Sequence, residues 1–92
     1  MKRKLGQFRI SREVLEDFPM AVQHLMSRCI PVRCEHHWGS DQFEYVAISD
    51  EFAEVERGAM PPFYHILHEE VRNDKGELIG VLLSFEKERK AA

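Results

Sequence analysis

The sequence lacks most of the features that define membrane, secreted and repetitive proteins. In 92 residues it has two cysteines, four prolines and five glycines, and it contains no internal repeat or low-complexity tract. No apolar run approaches the roughly 20 residues that a helix needs to cross a bilayer. The charged start, residues 1–4, is not followed by the apolar segment of a signal peptide. We therefore expect one folded domain, residues 1–92, in the cytoplasm and without a membrane partner.

Charge and cysteine content narrow the class of protein further. Thirteen Lys and Arg stand against sixteen Asp and Glu, which gives a net charge of −3 and a pI near 5.9. Phosphate backbones repel such a chain, so we do not expect it to bind nucleic acid directly. Cys29 and Cys34, in a chain without a signal peptide, favour a reducing compartment, and we expect both to be small buried thiols.

Five segments alternate apolar and polar residues in the manner of β-strands. Residues 6–10 are expected to form an edge strand. Residues 30–38 and 42–48 flank a Gly39–Ser40–Asp41 turn and predict one hairpin, and residues 63–72 and 77–86 flank the loop 73–76 and predict a second. The last of these strands is apolar on both faces, so we expect it to be central or covered by another subunit.

Helical periodicity occupies the region between the first two strands. Seven apolar residues recur at steps of one, three and four and trace one stripe: Val14, Leu15, Phe18, Val22, Leu25, Met26 and Cys29. Pro19 interrupts the stripe, because an interior proline removes a backbone hydrogen bond. The pattern predicts a helical turn over 12–17 with Ser11 as N-cap, a kink, and a second piece over 19–28.

Residues 49–58 begin and end with the capping residues of a short helix, with Ser49 as N-cap and Gly58 after the last turn. The predicted order is therefore β-α-β-β-(short α)-β-β. We expect an α+β fold with a single antiparallel β-sheet of about five strands, and one kinked helix packed on one face of it.

No pattern of catalytic residues emerges. The serines have no strand-turn-helix elbow around them, and the glycines do not form a phosphate loop. Cys34, His36 and His65 could form a zinc site only if the order of the strands brought them together, and no second closely spaced ligand pair supports that site. We predict no catalytic residue, no metal site and no cofactor, and we keep a metal-dependent enzyme as a distant alternative.

Two groups of residues are candidates for binding. Asp50, Glu51, Glu54 and Glu56 form either a solvated helix face or a negative surface offered to a basic partner. The second group consists of aromatic residues whose rings carry a polar N–H or O–H group, which suits either the core or a recognition surface: Trp38, Tyr45, Tyr64 and His65. With Arg33 nearby, this second group could line a groove for a planar anionic ligand such as a nucleotide, placed between subunits.

A stretch near the middle of the chain resembles small bacteriophage and prophage proteins. The likeness covers about 20 residues, at Phe43–Phe52, Val55, Gly58 and Pro61–Tyr64. The resemblance implies a compact accessory protein that acts by binding host components, including bacterial defence machinery. It implies no particular functional residue.

Our leading hypothesis is a non-enzymatic, phage-associated homodimer in the bacterial cytoplasm. It would dock on a host protein with a basic surface through the acidic and aromatic residues. The alternative is a nucleotide-sequestering protein with its groove at a subunit interface.

Overall fold

The computed structural model describes residues 3–87 and has an α+β fold in which most strand pairs are antiparallel. This agrees with the predicted fold class. The elements in chain order are β1 (Arg3–Ser11), α1 (Arg12–Asp17), α2 (Pro19–Met26), β2 (Ile30–His37), β3 (Gln42–Ile48), β4 (Glu54–Val55), β5 (Tyr64–Arg72) and β6 (Leu78–Lys87). None of the helices in residues 3–87 is long and apolar enough to span a bilayer.

The kinked helix is confirmed. The Val14 amide donates to the Ser11 side chain, which caps α1, and Pro19 begins α2 directly after the break at Phe18. Each of the seven stripe residues is buried or half-buried. The stripe therefore stays in phase across the kink, with α1 packed against β1 and α2 packed against β6.

The strands do not form the single sheet that we expected. Four of them form a sheet in the order β2-β3-β1-β4, and β5 and β6 form a separate two-stranded ribbon. One isolated parallel bridge, between Gln7 and Phe63, connects the ribbon to the sheet. The predicted hairpins are both present, as β2–β3 and β5–β6. The prediction failed because alternation identifies strands but does not reveal where two neighbouring strands separate.

Two further predictions were wrong. The first strand is not an edge strand, because it lies between β3 and the short β4. Residues 49–58 do not form a helix: the Phe52 amide bonds the Ser49 carbonyl in one turn, and Glu54 and Val55 then pair with β1. Gly58 keeps a positive φ, in a turn that the Ala59 amide closes on the Glu56 carbonyl. Pairing with a neighbouring strand outweighed the local preference for helix.

The core lies where α2, the inner side of β1 and the near end of the ribbon meet. Phe8, Leu25 and Leu83 are its largest fully buried side chains. Aromatic rings pack edge to face or tilted around this centre, with Phe8 and Phe85 centroids 4.9 Å apart and those of Phe52 and Tyr64 4.5 Å apart. Such pairs add about 0.5–1.5 kcal/mol each beyond the area they bury.

The outer part of the β5–β6 ribbon extends away from this core. Nearly every side chain in residues 67–80 is exposed. The Cα radius of gyration is 14.6 Å, and the longest dimension is 50 Å. A compact chain of this length would have a radius near 12 Å. The ribbon therefore projects from the molecule.

Candidate protein-binding surfaces

A groove opens where β1 and β5 separate. The two strands touch at the Gln7–Phe63 bridge, where the Gln7 amide donates to the Pro62 carbonyl at 3.0 Å and Gln7 Nε2 donates to the Pro61 carbonyl at 2.6 Å. Beyond the bridge, β1 continues alongside β3 and β5 turns to pair with β6. We call the space between them the β1–β5 groove.

The β1–β5 groove has a volume of about 540 Å³, within the usual range of about 300–1,000 Å³ for ligand pockets. Its floor is apolar, and its rim carries Arg, His, Ser and Gln side chains. The lining residues are Arg9, Ile10, Ser11, Val14, Gln42, Phe63, Tyr64, His65, Ile66 and His68. The guanidinium of Arg9 lies 5.4 Å from the Phe63 ring centroid, and its Nε donates to Glu44 at 2.9 Å.

The β1 wall of the groove directs backbone groups into it. The Ser49 amide donates to the Lys4 carbonyl on the β3 side, whereas the Gln7 amide donates to Pro62 on the other side. Since backbone direction alternates along a strand, Arg9 also directs its N–H and C=O away from β3 and into the groove. Among residues 3–87, β1 and β5 share no bridge beyond the one between Gln7 and Phe63.

The β5 wall has the same property. The Pro62 carbonyl, just before β5, accepts from the Gln7 amide of β1, and the Leu83 carbonyl lies 3.5 Å from Arg28 outside the ribbon. Because backbone direction alternates along a strand, Leu83 directs its backbone groups away from β5. His68 lies opposite Leu83 and is therefore in a non-hydrogen-bonded pair, as is Ile66 opposite Phe85. The N–H and C=O groups of Ile66 and His68 consequently point away from β6, toward the groove.

A second candidate surface is the outer hairpin face, which we define as the side of the β5–β6 ribbon turned away from the core. Its residues are His65, Leu67, Glu69, Val71, Gly80, Leu82, Ser84 and Glu86. Leu67 is 44% and Leu82 50% exposed, and Ile79, which the β5–β6 register skips between Leu78 and Gly80, is 63% exposed. Glu69 pairs across the ribbon with Leu82, so carboxylates border the apolar centre of this face.

The free edge of β2 is protected by contrast. Pro31 lies near its start, a β-bulge separates Pro31 from Arg33, and Arg33 forms an ion pair with Glu35. Proline, bulges and charges are the usual means by which an edge strand avoids pairing with another chain. The expected apolar face of β2 is nevertheless exposed, because Ile30, Val32 and Trp38 are 67%, 55% and 82% accessible.

The four predicted acidic residues are placed along the turn and β4, at the edge of the sheet. Arg28 neutralises Glu51 through an ion pair and a second hydrogen bond of 2.6 Å from Nε. Asp50 lies 4.0 Å from Lys4. Glu54 and Glu56 are exposed, and Glu54 is on β4. The charge of this group is therefore partly compensated within the chain.

The five residues of the predicted ligand groove do not line one groove within the chain. Tyr64 is 5% exposed and accepts a hydrogen bond of 2.8 Å from the Ala53 amide, and Tyr45 stacks on Phe8 in the core. Trp38 lies at the end of β2 with its ring against His36. Only Tyr64 and His65 contact the β1–β5 groove.

Arg33 lies on a different surface. It lines a smaller pocket of about 390 Å³, on the opposite side of the sheet from the core, together with Glu35, Met60 and Pro61. The aromatic stacking proposed for a nucleotide therefore has no geometric basis within this chain.

Histidine, cysteine and acid side chains are scattered over residues 3–87, and no three of them are placed to hold one metal ion. His36 contacts Asp41 at 3.0 Å, and His37 contacts Glu44 at 3.2 Å. Cys34 is exposed, which corrects the expectation that both cysteines are buried.

The perturbed pKa values have structural causes. Burial raises the pKa of the Cys29 thiol and that of the Tyr45 hydroxyl. A raised pKa leaves less thiolate at neutral pH, which is the opposite of what an activated nucleophile needs. The Arg12 guanidinium, which bonds Asp41, and then His36 hold the pKa of Asp41 below its ordinary value of 3.8.

Sequence reasoning missed both candidate surfaces. Leu78 and Leu82 gave one signal, since apolar residues on both faces of the last strand predicted that it was central or covered by another subunit. The β1–β5 groove gave none, because it depends on where two strands diverge.

Comparison with family models, with curated proteins and with solved structures finds no match to this chain. The candidate surfaces are therefore interpreted from their own chemistry.

Proposed function

We propose that this chain is a non-enzymatic binding protein that docks on another protein through the outer hairpin face. The observation that carries the proposal is the exposure of Leu67 and Leu82 on the face of the projecting ribbon that is turned away from the core. Contiguous exposed apolar residues with a polar border are typical of protein interaction sites.

The charges around this face favour a basic partner. Residues 64–87 contain five acids and three Lys or Arg, a net charge of −2. Glu69 and Glu86 both belong to the outer hairpin face. A complementary partner would place apolar side chains on Leu67 and Leu82 and cations opposite the two carboxylates, which would also steer association. The proposal keeps the predicted basic partner and moves its docking surface from residues 50–56 to the ribbon.

The likeness to phage accessory proteins makes a protein of the bacterial host, including its defence machinery, the partner to test first. The residues with raised pKa values, Cys29 and Tyr45, fit structural roles in the core better than catalytic ones. Both points support a protein that acts by occupying a surface on its target.

The test is retention of a host protein by the immobilised chain, followed by calorimetric titration with that protein once purified. The double variant Leu67→Asp and Leu82→Asp should bind at least tenfold more weakly, because it places charges at the apolar centre. Affinity should also fall as salt rises, because salt screens the attraction between exposed charges. The Debye length is about 10 Å at 0.1 M salt and shortens as salt is added.

Met20→Asp is the matched control, because Met20 is 75% exposed but lies on α2. It introduces one carboxylate, half of the added charge, away from the ribbon and should bind like the wild type. Equal binding by the double variant and the wild type, or equal loss in the control, would contradict the proposal. So would the absence of any retained host protein.

A further inference from the structure

The β1–β5 groove carries a second inference, independent of the outer hairpin face. We propose that it binds an extended peptide segment of a partner protein, which pairs with the exposed backbone of β5 and lies against β1. This would be a site of strand addition, in which main-chain hydrogen bonds supply affinity and side-chain pockets supply selectivity.

The backbone of both walls supports this ligand class. Arg9 on β1 and Ile66 and His68 on β5 direct N–H and C=O groups into the groove, as their strand registers require. An unpaired backbone donor or acceptor costs free energy unless water or another chain satisfies it. A small apolar molecule could fill the groove but could not satisfy a row of such groups, whereas an extended peptide can.

The edge of β5 along the groove also lacks the devices that block pairing. Residues 64–68 contain no proline, lysine or arginine, and the register with β6 shifts only at the far end, between Val71 and Arg72. β2 has a proline, a bulge and charges along its edge. The edge of β5 that borders the groove is therefore open to pairing with a partner strand.

The side chains indicate what the peptide should contain. Ile10, Val14 and Ile66 line the groove from the core side, and Arg9 and His65 line it from the outer side. Successive residues of a strand point to opposite faces. A peptide that alternates aliphatic and acidic residues would therefore place its apolar side chains on the first group and its carboxylates near Arg9.

Amide hydrogen exchange of the free protein tests the geometry. The amides of Arg9, Ile66 and His68 should exchange at least tenfold faster than those of Phe8 and Leu67, which face neighbouring strands. Equal protection of the two sets would show that the groove edges are already paired and would overturn the proposal.

Titration with a synthetic heptapeptide that alternates valine and aspartate tests the binding. We expect dissociation constants of about 1 mM or below, with slowed exchange at Arg9, Ile66 and His68. A version with N-methylated backbone amides should bind at least tenfold more weakly, and a version with lysine in place of aspartate should also lose affinity. No binding at 1 mM, or chemical-shift changes confined to the ribbon tip, would overturn the proposal.

His68→Pro is the decisive variant, because it removes a groove-facing N–H without removing a hydrogen bond to β6. Glu70→Pro is the matched control, since Glu70 occupies the next equivalent position on β5, outside the groove. The first should abolish peptide binding and the second should preserve it, with core chemical shifts confirming that both variants fold. Retained binding in His68→Pro would overturn the proposal, whatever the outcome at Leu67 and Leu82.

Discussion

The near and outer ends of the β5–β6 ribbon have similar residues but different surroundings. At the near end, Tyr64 and Leu83 are buried against the sheet and α2. At the outer end, Leu78 and Ile79 are exposed, and Leu82 is exposed on the outer hairpin face. An apolar pattern therefore establishes that a strand forms, but not that the protein itself covers that strand.

The difference has an energetic consequence. Burial of a leucine side chain stabilises the fold by about 1.5–3 kcal/mol, whereas an exposed leucine contributes little. Residues at the near end should therefore determine stability, and residues at the outer end should determine binding. Substitutions at buried and exposed positions, from the largest expected effect to the smallest, test this division.

Leu83→Ala should lower the free energy of unfolding by about 2–5 kcal/mol, because it empties a fully buried position in the core. Its neighbour provides the control: Leu82→Ala should change stability by less than about 0.5 kcal/mol, as is usual at exposed positions. Urea denaturation measures both. Comparable losses in the two variants would mean that the outer hairpin face is covered in solution, for example by a second copy of the chain.

Gly6→Ala should cost about 1–3 kcal/mol, since its added Cβ would lie 2.9 Å from ring atoms of Phe52. Gly80→Ala, on the outer part of the ribbon, would meet no atom within 4 Å. The second substitution should be neutral or stabilise slightly, by up to about 1 kcal/mol, because it reduces the entropy of the unfolded chain. Thermal denaturation of the two variants measures this. A larger fall in Tm for Gly80→Ala than for Gly6→Ala would contradict the comparison.

Tyr64→Phe should cost about 1 kcal/mol, because the Ala53 amide loses the hydroxyl that accepts its hydrogen bond. The ring packing against Phe52 should remain. Faster hydrogen exchange at Ala53, with the other core amides unchanged, would identify the lost bond as the cause. An unchanged exchange rate of the Ala53 amide would show that its hydrogen bond to the Tyr64 hydroxyl does not stabilise the near end of the ribbon.

Asp41 should make the β2–β3 turn sensitive to acid. Arg12 and His36 lower the folded-state pKa of Asp41 below its ordinary value of 3.8, so its stabilising effect is complete above that value. The effect is lost as pH falls through the lower folded pKa. Asp41→Asn should reduce the slope of unfolding free energy against pH only near and below pH 3.8.

Arg12→Gln should have a similar effect on this slope, because Arg12 bonds Asp41 in a bidentate pair. The double variant should then add little to either single one. Independent, additive effects would show that the two side chains are not coupled. The ribbon turn at 73–76, which is held by local bonds to Asn73, offers no comparable connection to a helix.

The sequence predicted the local elements well and their arrangement less well. Pro19 and the stripe at Val22 and Leu25 defined the kinked helix, because helix periodicity and proline chemistry act over a few residues. The turns at 39–41 and 73–76 defined both hairpins for the same reason. These features depend on neighbours in the chain and are therefore visible in it.

The errors arose where distant segments compete. Glu54 and Val55 lie in a segment whose sequence favours a helix. They instead pair as a strand with Arg3 and Lys4 of β1. The β1–β5 groove follows from the Gln7–Pro62 contact, which joins residues far apart in sequence. Of the candidate site residues, Tyr64 belongs to the core, the first of the two roles that its sequence pattern left open, and its hydroxyl accepts a hydrogen bond from the Ala53 amide.

The two cysteines differ in accessibility, since Cys29 after α2 is buried and Cys34 on β2 is exposed. This difference allows one of them to be labelled selectively. Desolvation keeps Cys29 protonated and poorly reactive, so a maleimide dye should attach at Cys34 alone, without any engineered substitution. Cys34 lies on the strand farthest from β4 in the four-stranded sheet. A fluorophore there would follow docking on the ribbon by energy transfer to a labelled partner.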